Sequence, residues 1–218
     1  TNNARVRNTY LKIDMDESIF DQLYNMVNRV GREWTEENNT RHQQSKSKKQ
    51  AKKQLTISPR SRHSLHMTYF FVGRVLNDMS SEEVQRWNTM VRSCVLEHNK
   101  STPRDYTLSF KSLILFPPNK NYLVVAEFEA SSDLVDLYDQ LCNLALMKKS
   151  GDKTDDDVHE FPLLRELTLK QQQYDSKWIP HITLGNVQGG LEDDVARLSE
   201  WLSNKTYQDM NISTNGLG

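Results

Sequence analysis

Two cysteines are all the thiols that 218 residues provide. Cys94 and Cys142 fall on different predicted helices, without CxxC or Cys/His ligand spacing. That argues against a zinc site and for a reducing compartment, cytoplasmic or nuclear. Long hydrophobic runs are also missing: no stretch approaches the ~20 apolar residues of a transmembrane helix, so no membrane partner is expected. The first seven residues are polar and lack the apolar region of a signal peptide. Net charge is nearly absent, at −1, yet it is unevenly spread. Residues 31–62 hold nine Lys or Arg against three Glu, and the remainder is acidic.

What is present is ordinary globular material, 36% hydrophobic and 26% charged, in a chain long enough for a sizeable core. Residues 8–14 alternate, Leu11 and Ile13 on one side and Tyr10 and Lys12 on the other, as in a half-buried strand. A helix capped by Asp16 or Ser18 follows, with Ile19, Phe20, Leu23, Met26, Val27 and Val30 in one stripe and Gly31 at its end. Residues 31–62 lose this periodicity and predict a flexible basic insertion, either an arm that neutralises RNA phosphates or a solvated connector.

Residues 64–73, SLHMTYFFVG, predict a strand that ends on glycine. Alternation puts His66 and Thr68 on one face and Leu65, Met67 and Tyr69 on the other, with Tyr69 buried. Residues 76–99 predict a helix, in which Ser80 and Ser81 before Glu82 and Glu83 resemble a capping box and Val84, Trp87, Val91 and Val95 form the core stripe. Two strand-like runs joined by Pro117-Pro118-Asn119-Lys120 predict an antiparallel hairpin. A further helix, capped by Ser131 or Ser132, carries Leu134, Leu137, Tyr138, Leu141, Leu144 and Ala145 as its stripe.

Residues 148–160 form a polar loop. Its Asp155-Asp156-Asp157 run points in several directions and cannot ring one ion, so no metal is assigned. Residues 163–170 fit another strand. Residues 177–187, KWIPHITLGNV, then repeat the earlier pattern: an apolar strand, His181 and Thr183 two apart, and a terminating glycine. Pro180 belongs at a strand start or edge because it cannot donate to a ladder. A helix over 191–203 precedes a frayed tail. The order predicts a single α+β domain over residues 1–218, with two helix-and-strand lobes of mainly antiparallel sheet and one His-x-Thr strand in each.

Six His and fourteen Thr in this chain give about 0.4 His-x-Thr pairs by chance, so two copies in matching strands favour a site over two core histidines. With these motifs the sequence resembles the 2H phosphoesterases, the LigT-like group related to RNA 2',3'-cyclic phosphodiesterases. The resemblance covers nearly the whole chain: the opening YLKIDMDESIFDQLYNMV, the first motif running to Phe-Val-Gly, the hairpin FPPNKNYLVV, and the second motif from Trp178 to Leu184. It implies two pseudo-symmetric lobes with outer helices around a central cleft. It also places His66 and Thr68 in the first catalytic motif and His181 and Thr183 in the second. The basic insertion and the polar loop depart from the family pattern.

Two imidazoles and two hydroxyls supply what hydrolysis of a cyclic phosphate needs: a base for water, an acid for the departing sugar oxygen, and donors to the phosphoryl oxygens. No cofactor is required. The expected activity is a metal-independent phosphodiesterase acting on a 2',3'-cyclic phosphate of an RNA end or nucleotide, with His181 as base and His66 as acid by resemblance alone. Tyr10, Lys12, Tyr174, Lys177 and Trp178 are candidates for substrate binding, the aromatics by stacking on a base and the lysines at a phosphate. The chain is expected to be a monomer, and a place within a larger RNA-processing protein stays open. Two alternatives remain: a 2',5'-phosphodiesterase or RNA 3'-end exonuclease on the same fold, and a non-catalytic nucleotide- or RNA-binding module.

Overall fold

A computed structural model describes residues 9–13, 15–44, 54–73, 75–100, 106–117, 122–148, 159–174, 178–205 and 211–213. In chain order its elements are β1 (Thr9–Ile13), α1 (Glu17–Gln44), β2 (Thr56–Pro59), a 3-10 turn (Arg62–Ser64), β3 (Met67–Gly73), α2 (Val75–Asp78), α3 (Ser81–Lys100), β4 (Thr107–Phe116), β5 (Leu123–Ala130), α4 (Ser132–Ala145), α5 (Pro162–Tyr174), β6 (His181–Gln188), α6 (Glu192–Ser203) and β7 (Asn211–Ser213). This is an α+β fold built on a mainly antiparallel sheet.

The strands run in the order β1-β3-β6-β5-β4-β7, with β2 paired to β6 off that path. Strands from both halves therefore belong to one seven-stranded sheet. It is narrowest at its centre, where β3 and β6 share the single pair Met67↔Ile182. On either side of that seam stands a His-x-Thr strand with an antiparallel neighbour, β1 beside β3 and β5 beside β6.

Apolar parity fixes which face is covered. Leu65, Met67, Tyr69, Ile182 and Leu184 are buried, while His66, Thr68, His181 and Thr183 between them are only partly so. Against the apolar side α4 meets β3, α1 meets β2 and β6, and α6 meets β4. The stripe of α4 buries Leu134, Leu137, Leu141 and Ala145. The Ser80 capping box forms in both directions: the Ser80 amide donates to Glu83 Oε2 at 2.8 Å, and the Glu83 amide donates to Ser80 Oγ at 3.2 Å. At the head of α1, the Ser18 amide donates to the Asp16 side chain at 2.7 Å.

Four local expectations are corrected. First, α1 does not stop at Gly31, so the flexible insertion is helical as far as Gln44. Its stripe continues through the buried Trp34 and Asn38, and Trp34 packs edge-on against Trp201 of α6, with ring centroids 5.5 Å apart. A mid-helix glycine costs about 1 kcal/mol, whereas burying a large apolar side chain returns about 1.5–3 kcal/mol. Burial wins. Second, residues 163–170 are helix. Pro162 starts α5, where a missing amide costs nothing, and the buried Phe161, Leu164 and Thr168 follow helical spacing. Third, β6 runs past Gly185 to Gln188, whereas β3 does end at Gly73, whose φ of 66° suits glycine. Fourth, the tail beyond Asn204 contributes β7, which pairs with β4. Most of the polar loop, residues 149–158, lies outside the described residues, as do residues 45–53 of the insertion.

Candidate catalytic cleft

The seam at Met67↔Ile182 brings the two motifs together. These are the middle residues of His66-Met67-Thr68 and His181-Ile182-Thr183, and the strands run antiparallel. From that pair outward, the opposite strand directions carry His66 toward Thr183 and Thr68 toward His181. Because the middle residues point into the core, all four polar side chains emerge on the other face. They line one polar cleft of about 60 Å³, together with Arg60 and Ser64.

The two rings are tethered alike. His66 Nδ1 lies 2.9 Å from the Ser64 carbonyl oxygen, and His181 Nδ1 lies 2.8 Å from the Ile179 carbonyl oxygen. A carbonyl only accepts, so in each ring Nδ1 carries the proton that is donated and Nε2 is the nitrogen left for acid–base work. Each tether reaches back two residues to the segment just before its strand, so backbone geometry alone aims both rings. Aromatic faces hold them further. Tyr10 stacks on His66 with centroids 4.7 Å apart and planes 13° apart, and Phe116 lies 4.6 Å from His181 at 32°.

A search of solved structures finds this architecture in the protein TT0787 of Thermus thermophilus. That crystal structure is 13% identical, with a TM-score of 0.51, over 95% of this chain and 81% of that one. The fold is shared. No family model matches the sequence, and no curated protein does.

Of the residues put forward for substrate binding, Tyr10 reaches the site through its stack on His66. Lys12 is paired with Thr68 across β1 and β3, beside the motif but not among the residues lining the cleft. Trp178 is not among the residues that line the cleft: its ring lies 4.9 Å from Tyr69, edge-on, and stacks on Tyr138 at 5.5 Å. It is partly buried and packs against the core. Lys177 and the side chain of Tyr174 lie outside the described residues. Tyr69 is buried as its parity requires and donates its hydroxyl to the Leu134 carbonyl. Burial pushes its phenol pKa well up.

Arg60, Ser64 and Phe116 were missed by sequence reasoning. Alternation along a strand could not have found the first two, because residues 62–64 form a 3-10 turn, and they sat beside a stretch dominated by Lys and Gln. Arg62 turns away from the cleft toward α1, hydrogen-bonding Asp21 and pairing with Glu17 at 3.2 Å. That hydrogen bond holds the Asp21 carboxyl below the usual aspartate range. Among the described residues no cluster of three or more His, Cys, Asp or Glu could hold a metal ion. No described helix is long and apolar enough to cross a membrane.

Proposed function

We propose that the protein is a phosphodiesterase that hydrolyses a 2',3'-cyclic phosphate on an RNA end or nucleotide without a metal. The observation that carries this reading is the matched pair of histidines, each with Nδ1 tied to a backbone carbonyl and each across the seam from the other motif's threonine. Two imidazoles of fixed tautomer, opposed across a space that suits one phosphoryl group, serve in-line displacement.

In that reaction one neutral Nε2 takes a proton from water as the water oxygen attacks phosphorus. The opposite imidazolium gives its Nε2 proton to the departing 2'- or 3'-oxygen of the ribose as its bond to phosphorus breaks, leaving one hydroxyl and one phosphomonoester. The two rings end with their protonation exchanged, and solvent restores them. Thr68 and Thr183 donate to the non-bridging oxygens, where charge accumulates. The resemblance assigns the base to His181 and the acid to His66; the reverse direction is transesterification or ligation.

The test is a panel of 2',3'-cyclic mononucleotides, cyclic-phosphate-ended RNA, 2',5'-linked dinucleotides and linear RNA, with and without EDTA. The expected result is a single phosphomonoester from the cyclic substrates, unaffected by chelator, with a bell-shaped pH profile. His66→Ala and His181→Ala should each lower the rate about 10²- to 10⁴-fold. Full activity in both variants ends the proposal. Strand shortening or cleavage of the 2',5' link moves the reaction to another diester, and tight nucleotide binding without turnover makes the cleft a sensor.

A further inference from the structure

We propose that Arg60 is a catalytic ligand of the same phosphoryl group that the histidines act on, an inference that rests on the phosphodiesterase reading above. The chain places two arginines two residues apart, and the structure treats them oppositely. Arg62 is engaged by Asp21 and Glu17. Arg60 lines the cleft with the His/Thr quartet, and among the described residues its guanidinium meets no carboxylate within ion-pair distance. An arginine stays protonated at any physiological pH. A partly buried guanidinium with no counter-ion among the described residues, beside two imidazoles, is matched to an anion that arrives from solvent.

The backbone explains how it is held there. The Arg60 amide donates to the Leu184 carbonyl at 2.8 Å, which extends the β2–β6 pairing one residue and fixes Arg60 opposite the residue that follows Thr183. The Arg62 clamp to α1 pins the turn that follows. Arg60 lines the same small polar cleft, of about 60 Å³, as both motifs. On this assignment it shares the scissile phosphate with the histidines and is not a ligand for the next phosphate along a strand. Its fork complements two non-bridging oxygens, and its charge opposes the negative charge that builds up on them in the transition state. Ser64 supports this edge in a different way: its hydroxyl donates to Ser61 O at 2.7 Å while its carbonyl orients His66.

The experiment compares wild type, Arg60→Gln and Arg60→Lys on a 2',3'-cyclic mononucleotide and on a cyclic-phosphate-ended dinucleotide, and titrates inorganic phosphate by the ring-proton shifts of the histidines. Arg60→Gln should lower kcat more than it raises KM, with kcat/KM down about 10²- to 10³-fold on both substrates alike. Arg60→Lys should recover part of the loss, because it restores the charge without the fork. The thermal midpoint should not move, since the side chain holds no described protein group. Phosphate should bind Arg60→Gln at least about tenfold more weakly than wild type. A loss confined to the dinucleotide, or phosphate binding unchanged in Arg60→Gln, overturns the assignment. If wild type cleaves none of the cyclic substrates yet binds phosphate in an Arg60-dependent manner, the phosphodiesterase reading fails and the anion-ligand role of Arg60 stands.

Discussion

Adding one methyl group at either of two glycines should move stability in opposite directions, and the structure sets both signs. A Cβ on Gly185 would lie 2.9 Å from the Ser58 carbonyl oxygen, with Ile57 Cγ2 and Pro59 Cα both at 3.4 Å. Ordinary contact begins near that latter distance, so β2 must move off β6 by about 0.5 Å or its pairing must break. Overpacking of this kind costs about 1–3 kcal/mol. In a protein of this length each kcal/mol lowers the midpoint by about 2–4 °C. Gly31 offers the control. It lies in the interior of α1, and a Cβ there would meet only Ile57, its oxygen at 3.7 Å and its Cβ at 3.8 Å, both normal contacts. Gly31→Ala should therefore stabilise by about 0.5–1 kcal/mol, the cost of glycine within a helix. Denaturant unfolding of both variants reads the energies, and steady-state kinetics reads the site. Gly185→Ala should also lose turnover, because the strand it displaces leads directly into Arg60. A Gly185→Ala midpoint at or above wild type, or a destabilised Gly31→Ala, refutes the packing described here.

Three further outcomes are expected. Tyr69→Phe removes a buried hydroxyl that donates to Leu134 O, and unfolding should show a loss of about 0.5–1.5 kcal/mol with the cyclic phosphodiesterase rate unchanged, because Tyr69 faces away from the cleft. Asp21 has its pKa depressed by Arg62, so what it adds is present above the unfolded aspartate value of about 3.9 and disappears as pH falls through the lower folded value. The stability difference between wild type and Asp21→Asn should accordingly be constant near neutrality and close in acid; a gap that persists at pH 2 would count against the clamp. Tyr10→Leu and Phe116→Leu each remove an aromatic face from one motif histidine, and on the proposed reading each should lower kcat for a 2',3'-cyclic nucleotide in steady-state assays.

Sequence alone reveals the parts of this molecule governed by local rules. The placing of His66 with Thr68, and of His181 with Thr183, depends only on alternation along a strand, and the Ser80–Glu83 box only on a three-residue spacing. The hairpin of β4 and β5 is equally local, marked by its prolines. The extent of α1 is not local: Trp34 is helical because Trp201, far along the chain, gives it a surface to bury against, and in sequence it sits among polar neighbours. Residues 163–170 alternate over a window too short to separate strand from helix, and only the partners of Phe161 and Leu164 decide. The packing of Trp178 was hidden for a related reason, since its contacts with Tyr69 and Tyr138 come from elements far from it in sequence. Arg60 stayed hidden because β2 is four residues long and gains its meaning from β6, more than a hundred residues later.

The lone rung between Met67 and Ile182 makes this chain a natural candidate for splitting. Strands β1 and β3 stand on one side of the seam and β6, β5, β4 and β7 on the other, so cutting the chain between α3 and β4 parts one histidine–threonine pair from the other. On the proposed reading each fragment would be inert by itself, whatever its own degree of folding. Yet β2 travels with the first fragment while its partner β6 belongs to the second, a four-residue handle across the divide. Turnover regained on mixing the two pieces would report their reunion directly, through chemistry that neither piece possesses.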